Sequence, residues 1–167
     1  MVEQNPAAGP DVALLGGVGT GAMLRRWLLA TRPMFLTASM LPVFVGVAWG
    51  FSVSGNFDAL ATVLAFFATI CVHAASNVYN DVGDDYNGTD RINTDRIYPF
   101  TGGSQFIPSG LMSVKEMRNL AVGLYAIATV LGIWLTVIKG FPVLIFGALG
   151  VAAGVLYSLP RVMLSSR

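Results

Sequence analysis

The sequence predicts an all-α fold, a multi-pass bundle of about four transmembrane helices, and three observations carry that reading. The chain is 54% hydrophobic and 11% charged, with a mean hydropathy of +0.67, whereas soluble domains are roughly a quarter charged. Four stretches, 33–57, 59–80, 119–138 and 140–160, contain no Asp, Glu, Lys or Arg, and each has the roughly 20 residues needed to cross a ~30 Å hydrocarbon core. The basic residues are placed asymmetrically. With the N-terminus inside, Arg25, Arg26, Arg32, Arg91, Arg96, Lys115, Arg118, Arg161 and Arg167 all fall on the cytoplasmic side, and Lys139 alone falls outside. The lipid bilayer is therefore the expected partner and the cell (inner) membrane the expected location. The net charge of +1 says nothing about other partners, and no nucleic acid is expected.

Residues 1–22 are rich in Gly, Ala and Pro and lack the basic-then-apolar pattern of a cleavable leader, so they read as a disordered cytoplasmic tail ahead of a membrane unit at 23–167. The glycine run at 16–21 has neither a preceding strand nor the Gly-Lys-Ser/Thr ending of a phosphate loop. Pro42 and Pro142 lie within or at the start of apolar segments and predict kinks rather than breaks. Cys71 is a lone cysteine among apolar neighbours and reads as a packed thiol. The Asn87-Gly88-Thr89 sequon, on the cytoplasmic side in this orientation, reads as a turn.

The second segment ends differently from the others. On a helix, Asn77, Asn80, Asp81 and Asp84 fall at i, i+3, i+4 and i+7 and share one face. Ionisable groups at membrane depth are expensive and tend to face a cavity or a bundle interior. Negative charge at a helix C-terminus also opposes the macrodipole, and neighbouring like charges repel, so the stripe calls for a compensating cation. Oxygen-only donors suit a hard divalent ion, and magnesium shared with a phosphate suits them best. An EF-hand registered on Gly88 would put Gly83 and Thr94 at positions that should be acidic, and one His with one Cys makes no zinc set. His73, one turn before Asn77, reads chiefly as a packing residue. Tyr79, Tyr86 and Tyr98 read chiefly as interfacial aromatics.

The connection at 85–113 is long for a compact bundle, and long loops are often functional. Arg91 and Arg96 can neutralise phosphate oxygens, while Thr101, Ser104 and Gln105 can hydrogen-bond them. Gly102-Gly103 is either a plain turn or a close approach of backbone N–H groups to an anion.

Asn80-Asp81-x-x-Asp84 followed by Gly88-Thr89-Asp90 resembles the first aspartate-rich motif of the UbiA-type intramembrane prenyltransferases. Trp27 to Pro33 and Leu41 to Gly46 are similar to that family's first helix, Pro99 to Ser104 to its following loop, and Leu156 to Pro160 to the end of its fourth helix. The match is nearest to the 1,4-dihydroxy-2-naphthoate branch that makes menaquinone. The resemblance implies that Asn80, Asp81, Asp84 and Asp90 hold Mg2+. It further implies that Asn77, Asn80, Arg91, Gly102, Gly103 and Ser104 bind a polyprenyl diphosphate, and that Asp81, Asp84 and Arg96 act in its ionisation, with an aromatic acceptor alkylated at the cytoplasmic mouth. Tyr98 stands before Pro99 where relatives often carry Arg. The family has about nine helices and a second aspartate-rich motif. None follows Asp95 here, so 23–167 is expected to be an N-terminal half, incompletely active without the other half. The alternatives are a non-catalytic or truncated membrane remnant or half of a split protein, a prenyltransferase for another acceptor, and a CDP-alcohol phosphotransferase. The last would need an Asp-Gly-x-x-Ala-Arg run, which is absent.

Overall fold

A computed structural model describes residues 9–88, 97, 98 and 100–159. Within them every regular element is helical: α1 Val12–Leu15, α2 Thr20–Ala30, α3 Pro33–Ser54, α4 Ala59–Asn87, α5 Val114–Lys139 and α6 Phe141–Ser158. Four of these, α3 to α6, are long and apolar enough to cross a membrane.

The helix ends follow from local chemistry. Asp58 caps α4 by accepting the Ala61 N–H at 2.9 Å, and Ser113 with Glu116 closes a capping box at the start of α5. Gly55 and Gly88, with φ of 69° and 73°, end α3 and α4 in the left-handed conformation that glycine adopts without strain. The α4 helix continues to Asn87, about three residues past the expected end near Asp84, because helical hydrogen bonding runs on to the Gly88 cap regardless of charge. The α5 helix begins at Val114, directly after the connection expected at 85–113, because the capping box can use the charged residues of its first turn. Part of the stretch expected as a disordered tail is helical: α1 and the start of α2 lie within it, and Leu15 is buried. Arg26 holds the two together by donating to the Leu15 and Gly17 carbonyls at 2.8 and 2.9 Å.

The four long helices alternate in direction. At one end the α3–α4 turn meets the α5–α6 turn, where Lys139 and Asp58 pair at 2.6 Å. At the other end α4 finishes, α3 and α5 begin, and α6 terminates against α4. There the buried core collects Leu15, Ala30, Val78, Phe106, Leu111, Met112, Met117 and Ala121. The spans themselves keep their large apolar side chains on the outside, as at Phe44, Trp49, Val130, Trp134 and Phe146, the arrangement a lipid solvent favours. Pro42 sits inside α3. Close approach of α4 and α6 depends on glycine: a Cβ on Gly83 would lie 2.5 Å from the Ser158 carbonyl oxygen, and one on Gly154 would collide with the Ser76 hydroxyl.

Candidate active site

One side of α4 faces the α2–α3 joint and the first turns of α3, and His73 together with two residues of the stripe is fastened there at successive turns. His73 shares a 2.7 Å hydrogen bond between its Nδ1 and the Ser39 hydroxyl. Asn77 donates through Nδ2 to the Thr31 carbonyl at 2.9 Å. Asp81, only 2% exposed, pairs with the Arg32 guanidinium.

The joint exists because Pro33 opens α3. Proline disfavours a right-handed helical residue before it, and Arg32 adopts φ 53°, ψ 63° instead. That turn carries Arg32 off the α2 axis and onto Asp81. Asp81 also receives the 101–112 loop: the Ser104 N–H approaches its two carboxylate oxygens at 3.3 and 3.2 Å, and the Ser104 hydroxyl donates to Oδ2. Gly102, Gly103 and Gln105 all have positive φ, 76°, 77° and 60°. This backbone path turns Ser104 inward, where it is 4% exposed. Gln105 is buried beside it and donates to the Gly102 carbonyl. Phe106, Leu111 and Met112 anchor the rest of the loop in the core.

Of the residues singled out from sequence, Asn77, Asp81 and Ser104 converge on one junction. Asn80 and Asp84 stand partly buried on the same helix, with Asp84 in the electrostatic reach of both Asp81 and Arg32. Asp90, Arg91 and Arg96 lie outside the described residues. Ser104 directs its donors at Asp81. Gly102 and Gly103 supply the bend that allows it. Tyr79 packs against the core, Tyr86 is exposed, and burial pushes the Tyr98 phenol up from its ordinary pKa. Sequence reasoning marks Arg32 only as an indicator of topology. The signal that could have singled it out is its place before Pro33, facing a stripe that needs a cation.

Below the stripe, towards the membrane interior, α4, α5 and α6, with Ser39 of α3, line a partly open groove of about 1180 Å³. Its walls are mainly apolar, with His73, Ser39 and Ser76 at the end nearest Asn77. Tyr125 braces that end through a 3.0 Å hydrogen bond to Ser76.

The donor chemistry fits a magnesium ion shared with a ligand: carboxylate and carboxamide oxygens along one helical face, with Asp84 not fully buried. Among the described residues no three of His, Cys, Asp and Glu converge into a cage. Magnesium does not require one when phosphate oxygens and water complete its shell. Asp81 would have to share its oxygens with, or release them from, Arg32 and Ser104.

Residues 39–166 match the UbiA prenyltransferase family. The chain belongs to that family. This UbiA-family chain is 28% identical over 141 residues to 1,4-dihydroxy-2-naphthoate octaprenyltransferase of Escherichia coli, covering 80% of its own length and 43% of that protein. It is 31% identical over 132 residues to the protein of the same name in Bacillus subtilis, covering 79% and 40% respectively. Over 69 residues it is 35% identical to UbiA prenyltransferase domain-containing protein 1 of Xenopus tropicalis, covering 41% and 20%. The chain thus spans about two fifths of the length of the two bacterial relatives. No solved structure matches it.

Proposed function

We propose that this UbiA-family chain forms the cation- and diphosphate-binding part of a site that transfers a polyprenyl group to an aromatic acceptor, 1,4-dihydroxy-2-naphthoate in menaquinone biosynthesis. One observation carries the reading: a stripe of acidic and amide oxygens begins at Asn77, directly beyond His73 and Ser76, which line the end of a partly open apolar intramembrane groove of about 1180 Å³. A ligand with an anionic head and a long hydrocarbon tail matches both parts at once. Asp84, Asp81 and Asn80, with Asp90, would hold Mg2+, which when bound supplies electrophilic stabilisation of the departing pyrophosphate. Arg91 and Arg96 add positive charge for the diphosphate. Asn77, tied to the Thr31 carbonyl, keeps the α2–α3 joint against the stripe. The groove houses the isoprenoid and excludes the water that would quench an allylic cation. In the orientation set by the basic residues, the mouth faces the cytoplasm.

The acceptor rests on the names of the bacterial relatives. Prenyl transfer to a different aromatic ring is the second reading, favoured by relatives such as that of Xenopus tropicalis, whose name specifies no acceptor.

Binding is the direct test on this chain. Membranes containing it should retain labelled polyprenyl diphosphate in a magnesium-dependent way, and Asp84→Ala should abolish that retention. Magnesium-dependent retention unchanged in Asp84→Ala overturns the site. Adding 1,4-dihydroxy-2-naphthoate and following transfer of the label decides the acceptor.

A further inference from the structure

The acidic stripe calls for a counter-cation, and the fold supplies one from its own chain. Arg32 reaches Asp81 from the left-handed joint before Pro33, a conformation that L residues rarely adopt. The contact uses one terminal guanidinium nitrogen, and the Arg32 Nε is buried without a hydrogen-bond partner. It is therefore not the two-pronged fork that makes an arginine–carboxylate pair most secure. Ser104 occupies the remaining capacity of the same carboxylate through its hydroxyl and its N–H. Asp81 is thus a three-way tie between α4, the α2–α3 joint and the 101–112 loop, with both oxygens engaged.

We infer that Arg32 and Ser104 are positioning residues forming a latch on Asp81, which withholds its carboxylate from a divalent cation until the cation displaces Arg32 and unfastens the loop at Ser104. This rests on the cation-binding reading above. Arg32 then acts on the site through Asp81, competing with the cation for one carboxylate. Asp84, partly buried and not fastened to the loop, is the residue a cation meets first. Transfer of Asp81 follows, and the Ser104 N–H loses its acceptor.

Manganese is the probe. The full chain, in lipid nanodiscs and without any prenyl substrate, is titrated with Mn2+ by electron paramagnetic resonance as wild type, Arg32→Met and Ser104→Ala. Hydrogen exchange of the Ser104 amide is followed in the wild type with and without manganese. Arg32→Met should bind manganese at least about tenfold more tightly, the scale of losing one charge-assisted competitor. Ser104→Ala, which keeps the ion pair and the Ser104 N–H, should bind about tenfold more tightly, the scale of losing one hydrogen bond to an ionised carboxylate. Manganese should also speed exchange at the Ser104 amide. Equal or weaker binding by both variants, or slower exchange at Ser104 on loading, overturns the latch while leaving the cation site standing. If wild type and variants all fail to bind manganese, the cation reading falls and the latch with it. Should Arg32→Met not fold, Ser104→Ala and the wild-type exchange data decide.

Discussion

Asp81 and Asp84 are three residues apart, yet their surroundings assign them different stability roles. Asp81 is closed in by Arg32 and Ser104, so removing its carboxylate leaves a partly buried guanidinium and a buried hydroxyl without their partner. Breaking a fully buried pair on one side costs about 3–5 kcal/mol, which is the upper bound here. Asp81→Ala should therefore lower the unfolding temperature in detergent far more than Asp84→Ala, whose carboxylate is only partly buried. Similar melting temperatures for the two variants would contradict the assignment. This difference shows where sequence reasoning stops. The stripe was legible because helical spacing alone fixes which residues share a face, and the need for a cation followed from charge. That the cation is Arg32 was not legible, since 49 residues separate the partners and only the turn before Pro33 brings them together. Ser104 was legible as a hydrogen-bonding residue. Its target was not, because the three positive φ angles around it are set by tertiary packing.

Between elements, the α4–α6 contact is the tightest constraint. Its glycine at position 83 faces backbone, which cannot rotate out of the way, and a methyl group added there would stand 2.5 Å from the Ser158 carbonyl oxygen. Gly83→Ala should thus displace the end of α6 and destabilise the bundle, whereas Gly147→Ala, with nothing within 4 Å, should be neutral or better by a few tenths of a kcal/mol through helix propensity. Equal thermal stability of the two variants would show that α6 does not rest on α4 as described. At the opposite end, the Ala61 N–H and then Lys139 hold the Asp58 carboxyl below its ordinary pKa. A depressed carboxylate contributes stability that is present above its unfolded pKa and lost as pH falls through its folded one. Unfolding midpoints measured from neutral to acidic pH should accordingly fall less in Asp58→Ala than in the wild type. The ends of these helices were readable to within about three residues, because the acidic stripe already extended α4 past its charge-free part and the Gly88 cap, not charge, fixes where it stops.

For the molecule as a whole, the groove under the stripe makes a prediction about ligand length. Gly132 and Gly147 both line it. Gly132→Phe or Gly147→Phe should weaken binding of a long-chain polyprenyl diphosphate while leaving inorganic pyrophosphate almost unaffected, as measured by competition on membranes. Parallel loss of both ligands would separate the groove from the tail. The four-span architecture was evident from charge-free length. The helices at Val12–Leu15 and Thr20–Ala30 were not, because their few apolar residues find a core only in contact with the loop and α4.

The unequal lengths of the spans have a consequence for the membrane around them. At 1.5 Å per residue, α6 with 18 residues reaches about 27 Å and α4 with 29 about 44 Å. The shorter helix is pinned to the longer one at Gly83, two residues from Asp81. A thicker bilayer has to be met by local thinning around α6, and the strain of that mismatch falls on the joint beside the acidic stripe. Acyl-chain length of the host lipid thereby becomes a physical variable of the site itself.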